Sequence, residues 1–100
     1  MAKSEEKIRR QVLARDRWVC AVCSKGAGGV HHIVPRARFG KRGQNLLWDV
    51  RNMITLCIRC HDDMAHTVGK RAEHLRLLRR RFGYDYSDPT WAWYLEGEDG

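Results

Sequence analysis

The chain has 100 residues, 19 Lys or Arg against 12 Asp or Glu, and a formal net charge of +7; this suits one domain with a modest core. No apolar run approaches a membrane span, and the opening MAKSEEKIRR lacks the apolar centre of a signal peptide. The expected location is therefore the cytoplasm, where paired Cys-x-x-Cys motifs hold metal more often than they form disulfides.

The charge is uneven. From Asp85 onward there are five acids and no base, so residues 1–84 carry +12. Four metal-bound thiolates and a divalent ion would bring this to roughly +10. Fourteen of the nineteen bases are Arg, whose planar fork grips phosphate in a bidentate way. A polyanionic partner is the expectation, against the plainer alternative of a solubilising surface.

In chain order, SEEKIRRQVLARD (4–16) reads as a helix: Ser4 can cap it, Glu5 and Glu6 suit its positive end, and Ile8 and Val12 share a face. Trp18 and Val19 lead into a tight CAVC knuckle, SKGAGG (24–29) is a turn, and Val30 to Val34 is a strand ended by Pro35. RARFGKRGQN (36–45) reads as a basic loop, and NMITLC (52–57) as a second strand. A helix is expected from His61, breaking before Gly69.

KRAEHLRLLRRRF (70–82) is another helix, with Ala72, Leu75, Leu78 and Phe82 on one stripe and Gly83 as its stop. In SDPTWAWYL, Asp88 is a cap and Pro89 the first helical residue. Trp91, Trp93 and Tyr94 are expected to pack against the domain, and the acidic end EGEDG to fray.

Cys20-x-x-Cys23 and Cys57-x-x-Cys60 supply four thiolates in two knuckles, the pattern of a structural tetrahedral zinc site. A redox dithiol fits poorly, because neither pair follows a strand inside a βαβ unit. The 33 residues between the pairs exceed a zinc-ribbon gap and must fold as a unit. That unit holds His31, His32 and Asn52, while His61 follows the second knuckle directly. Hydrolysing a phosphodiester needs a base for water, a cation on the phosphate oxygens and help for the leaving oxygen. A histidine titrating near neutrality can be the base, a divalent ion the Lewis acid that also steadies the leaving oxygen, and neighbouring arginines can neutralise the remaining charge.

The order C-x-x-C, HHIVPR, N, C-x-x-C-H resembles the HNH endonuclease family, particularly the small cysteine-framed members of phage and prophage genomes. The resemblance spans Cys20 to His61. It implies an α+β fold with a ββα-metal core, a structural Zn2+ and flanking N- and C-terminal helices. It further implies His31 and His61 as ligands of a catalytic divalent ion (Mg2+ or Mn2+), His32 as general base, and Asn52 as the residue that steadies the base or its loop. Many members carry another ligand four residues after the helix His, where this chain has Ala65. His66 lies about 140° round a helix from His61, so Asn52 or water is expected to complete the shell, the alternative being a local bend of the helix that brings His66 in. Asp62 and Asp63 read as solvated charges near the helix start.

The whole chain, 1–100, is thus read as one HNH nuclease domain: core about 18–68, basic helix about 70–82, acidic tail 85–100. The implied activity is hydrolysis of DNA, with 5′-phosphate and 3′-hydroxyl products and double-stranded DNA as partner. Arg36, Arg38, Lys41 and Arg42 in the loop, with Arg76, Arg79 and Arg80 among the arginines of 71–81, are the candidate phosphate contacts. The alternatives are a non-catalytic zinc-containing module that binds nucleic acid, and an accessory subunit working with phage terminase or other packaging proteins. A single ββα site has one metal and one base, and no self-complementary face is evident, so nicking is expected over double-strand cleavage.

Overall fold

Two short antiparallel strands run through the middle of the computed structural model, which describes residues 2–41, 43–67 and 69–97. Strand β1 (Gly29–His32) pairs with β2 (Met53–Leu56) in the register Gly29↔Leu56, Val30↔Thr55, His31↔Ile54, His32↔Met53. Side chains alternate across a strand, so Val30, His32, Met53 and Thr55 share one face and His31, Ile54 and Leu56 the other. All four residues of β2 are buried, because each face is covered.

Helix α1 (Ala2–Arg15) covers the first face, where Val12 packs with Val30 and Met53, and Ile8, Leu13, Trp48 and Val50 close the margin. It starts two residues earlier than expected, which places Ser4 inside the helix and not at its cap. Just past its end, the buried Asp16 carboxylate takes two bonds from Arg15 and one from the Thr55 N–H at 3.0 Å. Arg15 also donates to the Val50 and Met53 carbonyls. Ala21 N–H completes this cover by bonding Thr55 O at 2.9 Å, so the outer edge of β2 keeps no open ladder there.

The second face meets α4 (Ile58–His66) and α5 (Lys70–Phe82). Ile54 and Leu56 belong to one core with Met64, Leu75, Leu78, Trp91 and Tyr94. The expected stripe of α5 is buried at Ala72, Leu75 and Leu78, but Phe82 is 38% exposed. Phe82 lies in the last turn, beside Tyr84 and under the Arg15 guanidinium, where the core has ended. Gly83 stops the helix at φ 68°, a left-handed conformation that suits glycine.

Helix α4 begins at Ile58 and not at His61, because Cys57 is its cap: the Cys57 Sγ accepts from the Cys60 N–H at 3.4 Å. The expected loop 36–45 contains two helical turns instead, α2 (Arg36–Phe39) and α3 (Gln44–Leu47). Phe39 and Leu47 are buried, and these apolar anchors order what composition alone reads as loop. Arg42 lies outside the described residues, as do the last three residues of the acidic end.

Residues 85–97 are more than a tail. Asp88 caps α6 (Pro89–Ala92) by accepting from the Thr90 N–H, and a π-helical turn, Trp93–Gly97, follows. Tyr86, Trp91 and Tyr94 are buried, but Trp93 is 52% exposed, contrary to expectation. Four successive positions cannot all face one side of a helix, and Trp91 and Tyr94, three apart, take the inner one. Among the described residues no helix is long and apolar enough to cross a membrane.

His74, on the buried side of α5, has an Nδ1 with no hydrogen-bond partner among the described residues. Burial lowers its pKa to about 4, with Lys70 and Arg71 adding to the effect and Glu73 opposing it. It stays neutral in the fold while the unfolded chain takes up a proton below about 6.5. Stability should therefore fall as pH drops from about 6.5 to 4, with His74 responsible for up to about 3 kcal/mol. Urea titrations at both pH values should show a smaller acid loss in His74→Leu than in wild type; equal losses would remove His74 as a source.

Candidate metal centre and histidine cleft

The first knuckle is a tight turn: Cys20 N–H bonds Lys25 O at 2.7 Å and Ser24 N–H bonds Cys20 O at 2.9 Å. The second is the start of α4. The chain leaving the first knuckle passes the second at Gly28, where a Cβ would lie 3.0 Å from the Ile58 nitrogen and push that backbone aside by a few tenths of an ångström. The Sγ atoms of Cys20, Cys23, Cys57 and Cys60 all lie within 4.8 Å of one another, and those of Cys23 and Cys57 are 3.6 Å apart. A tetrahedral ion with Zn–S bonds of about 2.3 Å requires sulfurs roughly 3.8 Å apart. The four cysteines are free thiols positioned to hold a metal ion.

The electrostatics agree with that role. Burial would raise the Cys20 thiol, but backbone amides of Cys23, Cys57 and Val22 outweigh it and hold the pKa at about 6. Cys57 is lowered too, chiefly by the Cys60 amide. Cys60 is pushed well up by burial and by the neighbouring sulfurs, because a thiolate resists a second one at contact distance unless a cation lies between them.

One residue past Cys60, on the side of α4 that faces β1, His61 stacks on His31 with ring centroids 3.8 Å apart and planes 15° from parallel. Both line an open cleft with His32, Pro35, Arg36, Leu47, Met64, Ala65 and Arg71. Burial, His61, Arg9 and His32, in that order, lower His31 to about 4. His32 emerges from the opposite face of β1 and meets Trp48 edge-on at 4.6 Å. Its Nδ1 is buried without a well-formed hydrogen bond. Burial lowers the His32 pKa, the Leu47 carbonyl opposes this, and Arg9 and Arg36 add to the lowering.

Asn52 is fully buried behind this wall. Its Oδ1 accepts from Val34 N–H and from the Trp91 indole N–H, each at 3.1 Å. Its Nδ2 donates to Val34 O at 3.0 Å and Leu47 O at 3.3 Å. Both lone pairs and both protons of the amide are used. Asn52 therefore has nothing left for a cation, which corrects its expected place as a possible metal ligand. His66 is exposed at the end of α4 and does not line the cleft, whereas Ala65 does.

The expected phosphate contacts divide. Arg36 and Arg71 line the cleft, and Arg71 also donates to Ile33 O. Arg38 is turned toward the C-terminal segment, its guanidinium 5.0 Å above the Trp93 ring, because residues two apart on a helical turn point to nearly opposite sides. Lys41 is exposed beyond α2. Arg76 and Arg80 border a separate hollow with Val22, His74 and Leu77, and Arg79 is exposed on the same helix. Two cleft neighbours escaped the sequence reading. Trp48 walls His32, and Arg9 reaches across from α1 to Val30 O and over the Trp48 ring. Arg9 lies three residues before Val12, flanking the apolar face of α1, and that spacing was the signal available.

A ββα unit stapled by four cysteines, with a histidine from the strand against one from the helix, defines a class of small metal-site domains. The family model described as HNH endonuclease matches residues 20–66, a little under half of the chain, and this segment is an HNH domain. No curated protein and no solved structure matches the chain.

Proposed function

We propose that the whole chain works as one cytoplasmic HNH endonuclease unit that hydrolyses phosphodiester bonds of DNA. The observation that supports it best is the convergence of His31, His32 and His61 in one open cleft beside a four-cysteine cluster. Zinc suits the cluster, since four thiolates in a closed tetrahedron favour it and leave no open position for chemistry. His31 and His61 would hold a second divalent ion, Mg2+ or Mn2+, once their rings turn out of the stack, and Ala65 adds no ligand of its own.

Held by His31 and His61, such an ion would supply Lewis-acid stabilisation of the phosphate and the leaving oxygen. His32, lowered in pKa and hence neutral at pH 7, takes the proton of the attacking water. Arg36, Arg71 and Arg9 offset phosphate charge at the cleft. Asn52 holds the Val34 and Leu47 backbone that walls His32. Arg38, Lys41, Arg76, Arg79 and Arg80 contact DNA away from the reacting phosphate.

A supercoiled plasmid incubated with Mg2+, Mn2+ or EDTA tests the activity: cutting with either ion and none in EDTA is expected. Tight binding without metal-dependent cutting would overturn the reading in favour of a non-catalytic module. One cleft with one base should act on one strand at a time. At limiting enzyme, open circles should accumulate well before linear product, with a monomer mass by light scattering. Linear product first, together with a dimer mass, would defeat the nicking assignment.

A further inference from the structure

We infer that Trp91, which lies outside the family-matched segment, is a positioning residue for the cleft, acting through Asn52. The inference rests on the reading of His32 as the base. Asn52 pairs with both the N–H and the C=O of Val34, as a strand would, and Val34 is two residues beyond His32. The outer pair of bonds runs from Nδ2 to Leu47 O and from the Trp91 indole N–H to Oδ1. Leu47 itself lines the cleft. One amide thus ties the chain segment after His32 to the segment that forms the opposite wall, and Trp91 supplies its only side-chain partner among the described residues.

The indole is donor only, so it can satisfy Oδ1 and not Nδ2, and it opposes rotation of the amide. Its own position is over-determined. Trp91 is 0% exposed, its ring meets Tyr86 at 5.1 Å and Phe39 at 6.3 Å, and the Arg51 guanidinium lies 4.6 Å above it. Arg51 is in turn fixed by Asp49, by the Asp85 carbonyl and through its own carbonyl by the Tyr86 hydroxyl at 2.6 Å. The C-terminal segment therefore grips the chain immediately before β2 at two successive residues, Arg51 and Asn52. Only the contact at Asn52 leads on to the His32 wall.

That difference supplies the test. Trp91→Phe keeps the aromatic packing and removes one N–H; Tyr86→Phe removes a buried donor from the same segment but from Arg51 and not Asn52. In Trp91→Phe the Val34 amide should exchange with solvent about tenfold faster, the loss expected when a buried hydrogen bond is left unmade, while the Thr55 amide exchanges as in wild type. Plasmid-cleavage kcat should fall roughly 10- to 100-fold with KM within about twofold, as for loss of placement and not of binding. In an Asn52→Ala background, Trp91→Phe should cost nothing further. Tyr86→Phe should leave Val34 exchange and kcat unchanged.

Unaltered Val34 exchange, acceleration at Val34 and Thr55 alike, or additive losses in the double variant would each overturn the inference. If the wild type cuts no DNA, the nuclease reading fails, and the exchange measurements alone decide whether Trp91 orders the Asn52 junction.

Discussion

Replacing His32 by alanine should leave the metal content, the melting temperature within a few degrees and DNA binding unchanged, while plasmid cutting slows about 100-fold or more. The expectation comes from the division of labour between adjacent residues. His31 faces α4 and stacks on His61, whereas His32 points from the other side of β1 toward Trp48. Truncating His32 therefore spares the two imidazoles proposed to hold the ion. His32→Ala measured beside His31→Ala should separate the roles: only the second should also weaken the dependence on Mg2+ or Mn2+. Near-normal cutting by His32→Ala would remove that residue from its role as base.

The second large effect is expected at Cys57. This residue directly follows β2, caps α4 and contributes one of the four clustered thiols, so a single residue joins the strand, the helix that bears His61 and the metal centre. Structural zinc binding in small folds is worth about 10–16 kcal/mol, as much as the entire stability of a typical domain, about 5–15 kcal/mol. Cys57→Ser should consequently be unfolded or molten at 25 °C by circular dichroism, and wild-type protein should lose its cooperative melt in a strong chelator. Elemental analysis should find one tightly held zinc per chain. A zinc-free wild type, or a Cys57→Ser variant that melts like it, would contradict the assignment.

What could be read from the sequence, and what could not, follows from the range of the interactions. Ligand spacing is local, so the two knuckles and the order of the histidines between and after them stood out at once. Helix periodicity is local too, which is why Lys70–Phe82 has the expected bounds. The loop at 36–45 was misread because the order of α2 and α3 comes from Phe39 and Leu47 finding a distant core, a tertiary effect that outweighs glycine content. The arginines of α5 were grouped by composition, yet the helix presents Arg71 to the cleft and Arg76 and Arg80 to another hollow. Asn52 showed its place in a motif but not its partners, one of which lies 39 residues further along the chain. The exposed Trp93 and buried Trp91 differ only in which side of one turn they occupy.

The late arrival of Trp91 bears on the order in which the molecule is made. Synthesis proceeds from the N-terminus at about 5–20 residues per second. The last cysteine and the last cleft histidine, Cys60 and His61, are therefore added before Tyr86, Trp91 and Tyr94 exist. At that stage the nascent chain owns every thiol and imidazole of its two centres, but the amide of Asn52 lacks its indole donor and the aromatic slot in the core is vacant. Chain order thus places every thiol and imidazole of the two centres ahead of the aromatic residues that fix Asn52.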